Sequence, residues 1–462
     1  MGMVNNYMLN RIYTQFVAGL LFPLHEILKK HQTRAIKIGL EKSQWLSREQ
    51  ILAEQAKQLQ RFIQQTYSNV PYYQSLLDQH GIDPKQINST QDLATIPLLG
   101  KAEIKQHFEQ LKSKNAGPVS QFNTGGSSGT PLIFLLGNER VSHDVAEKWR
   151  ATRWWDVDIG DKEIVAWGSP IELNSQDKIK LIRDKLFRSL LIPAFDLNDE
   201  KIAGFIAQIR QFKPAMLFGY PSVYELIAKY AKQHQIQMDD LGIKVVFVTS
   251  ERLYPHQREI IEQTFGCQVA NGYGGRDAGF IAHQCPAGGM HISAEDIVVE
   301  IIDPKGNPLP IGQSGEIVVT HLATSDFPFI RYRTGDIGTL SDKTCACGRG
   351  LPLLEEIQGR TTDFIVAADG TMMHGLALIY VLREINQVGE FKIVQQSLQQ
   401  TDVQVVPNSQ FDDNVKQQII EGFKARLGQD VTINVEIVEQ IKAEKSGKFR
   451  YVISHVTTGK KS

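Results

Sequence analysis

The densest group of side chains able to hold an anion lies in Asn123-Thr124-Gly125-Gly126-Ser127-Ser128-Gly129-Thr130-Pro131. Glycine reaches positive φ and lets backbone approach a ligand closely. Successive N–H groups of such a turn form an anion-binding concavity, to which Ser and Thr hydroxyls add donors. No Gly-Lys-Ser/Thr follows, so this is not a Walker A loop. Taken alone, the stretch is open to two readings, a phosphate cradle and a polar flexible turn.

Other segments carry chemistry further along. Asn271-Gly272-Tyr273-Gly274-Gly275-Arg276-Asp277 joins a carboxylate, a hard oxygen ligand for a divalent cation, to a guanidinium suited to phosphate or carboxylate. By itself it reads equally as a glycine-rich turn with a solvated ion pair. Arg331-Tyr332-Arg333-Thr334-Gly335-Asp336 is a charged segment between strands. Lys442, Lys445 and Lys448 near the C-terminus could be a solvated basic tail, although Ser446-Gly447 beside Lys448 suggests a placed lysine.

The cysteines form a further constellation. Cys345-Ala346-Cys347-Gly348 puts two thiols on a tight turn, and Cys285 and His291 flank Gly288-Gly289. Three thiolates and one imidazole make the donor set of a structural tetrahedral zinc site. His283 competes with His291 as the nitrogen ligand, and buried apolar thiols are the alternative to a metal. Cys267 reads as core, in a helix-to-strand turn.

Composition narrows the class. The chain has 462 residues, 42% apolar and 22% charged, with a net charge of −1. That length supports more than one domain, and the charge gives no nucleic-acid footprint. Four cysteines fit a reducing compartment, so a cytoplasmic location is expected. The first long apolar run, residues 16–24, is broken by Gly19 and Pro23, too short to span a bilayer and unlike a signal peptide. Residues 16–37 place apolar Phe16, Leu20, Leu21, Leu24 and Ile27 beside Lys29, Lys30, Arg34 and Lys37. Such a segment can lie peripherally on an inner-membrane surface; a core-packed helix with a solvated end is the expectation.

The elements that must position these groups follow from pattern. Ser47-Arg48-Glu49-Gln50 has capping-box spacing and opens a helix with Ile51, Ala56, Leu59, Phe62 and Ile63 on its apolar side, ending near Asn69 before Pro71. A strand follows the glycine-rich loop from Leu132. Helices are expected at 141–154, 199–212 and 222–234, alternating with continuous apolar strands at 164–167, 216–221 (with a turn at its end) and 244–248, the signature of a parallel α/β sheet. Short strands with turns follow over about 297–358. After a boundary near 359 the chain restarts as a small α+β unit, 360–462, of βαββαβ type. The fold class is therefore α/β: a large N-terminal region, 1–359, including a β-rich subdomain, and a small C-terminal domain.

Taken together, these segments resemble the adenylate-forming (AMP-binding) superfamily, and within it the phenylacetate–CoA ligase-like branch that includes CapK-type capsular polysaccharide biosynthesis proteins. Val70-Pro71-Tyr72-Tyr73 and Asp92-Leu93-Ala94 … Ile96-Pro97-Leu98 … Lys101 also look like that branch. The resemblance spans nearly the whole chain. It implies a two-step ligase in which a carboxylic acid attacks ATP to give acyl-AMP and pyrophosphate, with Mg²⁺, and an acceptor then displaces AMP. CoA is the acceptor in the first reading; an amine or sugar in capsule assembly, and a non-catalytic nucleotide-binding homologue, are the alternatives.

The resemblance also implies roles. Thr124, Gly125, Gly126, Ser127, Ser128, Gly129 and Thr130 would form the phosphate loop, although Leu132 stands where the superfamily often has Lys. Asn271, Gly272, Tyr273 and Gly274 would line the adenine side. Asp277 would hold Mg²⁺ in place of the family's Glu, and Arg276 replaces its Thr. Asp336 would accept from the ribose hydroxyls and Arg360 would reach ribose or phosphate. Lys448 would bridge carboxylate and α-phosphate, and Asp363 would be the pivot of a mobile small domain closing over a cleft. In this branch Cys285, His291, Cys345 and Cys347 would be expected to bind Zn²⁺. Tyr220, Pro221, Val248, Thr249 and Ser250 are candidates for the acyl pocket.

Overall fold

The computed structural model describes residues 11–124, 132–167, 178–194, 199–360, 364–441 and 450–456. The capping box works as the spacing predicts: Ser47 accepts from the Gln50 N–H and Gln50 accepts from the Ser47 N–H, opening the helix Arg48–Asn69. Its core face is Ile51, Leu59, Phe62 and Ile63, with buried Gln55 among them. The Gln55 amide donates to the carbonyls of Ala294 and Ile297, which explains a polar residue there. The helix ends at Asn69, as expected from Pro71. Pro71 itself sits at the first position of a second helix, Pro71–Gln79, where a missing N–H costs nothing.

Among the described residues the main sheet has eleven strands in the order Ile297–Ile302, Ser314–His321, Tyr332–Ser341, Leu353–Arg360, Met290–Ile292, Gly279–Gln284, Gln268–Gly275, Val245–Thr249, Met216–Gly219, Glu163–Trp167 and Ser189–Pro193. The last five run parallel to one another. Met216–Gly219 and Val245–Thr249 are buried at every position, as strands covered on both faces must be. Strands from 297–358 continue the same sheet. The edge strand Ser189–Pro193 and its preceding helix, Lys178–Leu186, were not expected; Pro193 is tolerated because the strand has a neighbour on one side only.

Two compact units result. One holds Met1–Thr334 and Gly338–Ile357, the other Gly335–Ile337, Gln358–Glu444 and the C-terminus. In the second, Thr432–Ile437, Gln400–Pro407, Val388–Ser397 and Val452–Ser454 form a mixed sheet with the helices Leu376–Arg383 and Asp413–Leu427. Buried Gln395 donates to the Val366 carbonyl and accepts from the Val366 N–H and the Ser454 hydroxyl, tying three segments together.

In the first unit the segment before Tyr332–Ser341 is gripped on several sides. The Tyr73 hydroxyl donates to the Pro328 carbonyl and accepts from the Ile330 N–H. Leu99 pairs with Tyr332 as a short parallel bridge, its N–H on the Arg331 carbonyl and its carbonyl on the Arg333 N–H. Arg331 is 2% exposed and holds φ +49°. Its guanidinium donates to Glu300, to the carbonyls of Ala94 and Ile96, and to Gly306. Removing one partner of a buried ion pair strands the other charge. Arg331→Met should therefore lower the stability of this unit by about 3–5 kcal/mol, read as the urea midpoint of its unfolding. A loss below about 1 kcal/mol would show that the segment is held by other contacts.

Candidate active site and metal centre

The glycine-rich loop joins two paired strands. Val119–Asn123 and Ile133–Gly137 pair antiparallel, Asn123 opposite Ile133. The neck is closed by the Thr124 N–H on the Leu132 carbonyl and the Leu132 N–H on the Thr124 hydroxyl, each 3.0 Å. Residues 125–131, with Gly125, Gly126, Ser127, Ser128, Gly129 and Thr130, lie outside the described residues. Leu132 is fully buried in the main core, so this position contributes packing and no charge.

The parallel strands bring a second group to their carboxyl ends, the usual ligand side of such sheets. Val245–Thr249 ends at Ser250, which holds φ +71°, a strained conformation for a residue with a side chain. Trp167 and Tyr220, at the ends of adjacent strands, pack ring against ring at 4.8 Å. Of the acyl-pocket candidates, Tyr220, Pro221, Val248 and Thr249 are buried. Thr249 pairs with Gly272, so Tyr273, Gly274 and Gly275 run past the end of the neighbouring strand. There the chain reverses through Arg276 and Asp277 into Gly279–Gln284. A Cβ on Gly274 would lie 2.2 Å from the Gly279 carbonyl oxygen, so this bulged hairpin requires glycine.

Asp277 is fixed from the other side of the sheet. The buried Tyr332 hydroxyl donates to Asp277 Oδ2 at 2.6 Å. Tyr273 and Thr334 hydroxyls lie 3.5 Å apart, and Thr334 donates to the Ile317 carbonyl. Asp336 follows on the strand Tyr332–Ser341 and is half-buried. The structure thus brings Tyr273, Asp277, Tyr332 and Thr334 together. Tyr332 was quoted in the sequence only as part of a motif; no local pattern marks its partner Asp277. The side chain of Arg360, and all of Asp363 and Lys448, lie outside the described residues.

The thiol and imidazole donors converge. Ligand atoms of Cys285, His291, Cys345 and Cys347 all lie within 4.8 Å of one another. Cys285 Sγ is 3.5 Å from Cys345 Sγ, and Cys347 Sγ is 3.2 Å from His291 Nε2. A tetrahedral zinc ion with Zn–S of about 2.3 Å separates its sulfurs by about 3.8 Å, so the quartet fits. The Cys285 turn closes through Gly288 N–H to the Cys285 carbonyl. Gly289 is needed for the approach, since a Cβ there would meet Cys345 Sγ at 2.6 Å. His283 takes no part; it is buried against Phe280 and Phe247. Cys267 is half-buried against the core, and burial pushes its thiol up to about 12.

The helix Asn138–Arg153 carries buried charge against this sheet. Arg150, 1% exposed, bonds Glu147 at 2.6 Å and Glu295 at 2.7 Å, and Ser293 donates to Glu147. Burial raises the Glu147 carboxyl, and the Arg150 guanidinium pulls it back down. Arg140 grips Asp144, with His321 beside it. Burial, reinforced by Arg150, lowers His283 to about 3; burial, reinforced by Arg140, lowers His321 to about 4.

Comparison with known proteins follows the same lines. Residues 187–324 match the AMP-binding enzyme family profile, and residues 365–455 match the CapK C-terminal domain. The chain is 23% identical over 406 residues to Protein CapK of Staphylococcus aureus, covering 87% of this chain and 89% of that one. It is 25% identical over 411 residues to the phenylacetate-coenzyme A ligase of Thermus thermophilus, covering 85% and 87%. A 2-hydroxyisobutyryl-CoA ligase solved in the postadenylation state with R3-HIB-AMP superposes with a TM-score of 0.70 at 21% identity, covering 87% and 88%. The chain therefore carries an AMP-binding enzyme domain and a CapK C-terminal domain, and it has the fold of the ligase on which it superposes.

The lowered histidines fix a pH dependence. Both are neutral when folded and take up a proton on unfolding, so their contribution is present above about pH 6.5 and is lost as pH falls toward about 4 and 3. His283→Gln should flatten the fall of stability with acidification in that window, by up to about 1.4 kcal/mol per pH unit for the one proton removed. Parallel melting curves of variant and parent from pH 6.5 to 4 would show that His283 is not the buried neutral base.

Proposed function

We propose that the chain activates a carboxylic acid with ATP and transfers the acyl group to CoA. In the first step a carboxylate oxygen attacks the α-phosphorus, forming the acyl–phosphate bond as the bond to pyrophosphate breaks. In the second a thiol sulfur attacks the acyl carbon and AMP leaves. The observation that carries this reading is the convergence of Tyr273, Asp277 and Tyr332 at the carboxyl edge of the sheet, with Asp277 held by the Tyr332 hydroxyl.

The residues take these roles. The loop from Thr124 to Thr130 cradles phosphate through backbone N–H and hydroxyl groups. Asn271 to Gly274 face the adenine, Asp336 accepts from the ribose hydroxyls, and Arg360 reaches ribose or phosphate. Tyr332 fills one oxygen of Asp277, leaving Oδ1 as a hard donor for Mg²⁺, which when bound offsets phosphate charge. Arg276 adds a cation at the same turn. Lys448 stabilises the charge that develops on phosphorus. The CapK C-terminal domain favours a second reading of the acceptor, an amine or a sugar hydroxyl.

Pyrophosphate exchange into ATP, screened over aromatic, amino and uronic acids, tests the first step. Lys448→Ala should cut exchange with the cognate acid on the order of 10²–10³-fold while ATP still binds. Unchanged exchange in the variant would remove Lys448 from the mechanism. AMP release that depends on CoA selects the thiol acceptor; release driven by an amine or sugar alone selects the other.

Cys285, His291, Cys345 and Cys347 are assigned to one structural zinc ion, since four protein donors leave no open position. Elemental analysis should find about one zinc per chain, and a chelator should lower the melting temperature more than it slows the folded fraction. Zinc-free protein with freely alkylated Cys345 and Cys347 would overturn the assignment.

A further inference from the structure

Residues 11–29 form one helix, whose middle turn, Val17–Leu21, is a π turn. Its inner face is anchored. Val17 and Phe22 are buried with Ile159, against Tyr13, Trp149 and Phe187. The Tyr13 hydroxyl donates to the Leu186 carbonyl, and the Arg188 guanidinium lies 4.2 Å over the Tyr13 ring.

The outer face is apolar and bare. Ile12, Phe16, Leu20 and Leu24 recur every fourth residue at 44–52% exposure, continued by Ile27 at 73% and Leu28 at 83%. A strict four-residue repeat drifts around an α-helix of 3.6 residues per turn, and the wider π turn between Phe16 and Leu20 counters the drift. Ile182 and Leu186, in the helix that receives the Tyr13 bond, add exposed apolar surface beside it. A run of this length is uncommon on a monomer and marks an interaction surface.

Charge says which surface it fits. Between residues 11 and 40 the single acidic residue is Glu26, which is buried and accepts from the Arg34 N–H. Arg11, Lys29, Lys30 and Arg34 are all exposed. Apolar side chains on one stripe, flanked by exposed Arg11, Lys29, Lys30 and Arg34 and with the nearby Asp184 paired to Arg183, complement a lipid interface carrying anionic headgroups. A protein partner would be expected to meet charges of both signs. Among the described residues no helix is long and apolar enough to cross a membrane. We propose that this face docks the enzyme in the plane of an anionic bilayer surface, with Phe16, Leu20, Leu24, Ile27 and Leu28 in the headgroup boundary and Lys29, Lys30 and Arg34 on the phosphates.

Flotation of the full chain tests this with vesicles of phosphatidylcholine alone and of phosphatidylcholine mixed with phosphatidylglycerol. The protein should float with the mixed vesicles, less so as salt rises, and stay behind with the neutral ones. Each cation near such a surface is worth about fivefold in partition, so Lys29→Gln, Lys30→Gln and Arg34→Gln together should weaken binding about a hundredfold. Ile27→Asp with Leu28→Asp should abolish it with an unchanged melting temperature, because both side chains already face solvent. Absence of flotation with mixed vesicles, or undiminished flotation of the Ile27→Asp/Leu28→Asp variant, overturns the proposal. So does sedimentation velocity showing a dimer that this variant dissolves, which would assign the face to a second copy of the chain.

Discussion

The constraint on which the described site rests is the desolvated guanidinium of Arg331. Arginine has five N–H donors and cannot lose its charge inside a protein. Nε–H bonds both oxygens of Glu300, Nη1 donates to the Ala94 and Ile96 carbonyls, and Nη2 donates to Gly306 while lying 3.0 Å from Glu300 Oε1. Because an unmet donor there is costly, three chain segments far apart in sequence must come to the same point. Tyr332 is the next residue. Its backbone is locked by Leu99, and its hydroxyl reaches Asp277 as a consequence. The stretches Val70-Pro71-Tyr72-Tyr73 and Ile96-Pro97 are thus parts of a clamp on residues 328–333 rather than sites in themselves.

A second buried guanidinium organises the other half of the same unit. Arg150 joins Glu147 to Glu295, packs over Trp154, and Trp154 meets the His291 ring edge-on at 5.5 Å. Arg349, two residues beyond Cys347, lies over both Trp45 and Trp154. The loop bearing Cys345 and Cys347 is therefore held by stacking and by Arg48, which donates to the Asp342 carbonyl. The sulfur–imidazole quartet is seated on a charged, aromatic platform whose geometry comes from the helix Asn138–Arg153. Buried polar groups of this kind are costly when half satisfied, which restricts the arrangements available to the sheet.

Local signals were legible where they were self-contained. The Ser47 capping box, the apolar runs at Met216–Gly219 and Val245–Thr249, and the helix Asp199–Phe212 need only neighbouring residues to be read. Pro71 marked the end of the helix Arg48–Asn69 correctly, and it also starts the next helix, which the ending alone does not reveal. The strand Ser189–Pro193 escaped notice since it is short and ends in proline. Spacing alone does not separate His291 from His283: both lie close to Cys285 in sequence, and they are even cross-strand partners on the same pair of strands. What separates them is what each ring meets, Cys347 Sγ for His291 and the Phe247 and Phe280 rings for His283. The Tyr332–Asp277 bond joins residues 55 apart, and no periodicity encodes it.

The glycine-rich loop shows how a departure from pattern is absorbed. Leu132 fills the core, so no ammonium stands at the loop's end. Its N–H is instead spent on the Thr124 hydroxyl, while the Thr124 N–H closes on the Leu132 carbonyl. A threonine hydroxyl has one proton to donate and lone pairs to accept with. Here the accepting side is engaged in closing the hairpin, which leaves the O–H proton as the group Thr124 has to offer. An engaged acceptor also orients that proton, since the hydroxyl can rotate only within the limits set by the Leu132 bond. The neck is thereby closed by the same residue that buries its side chain in the core, without any formal charge.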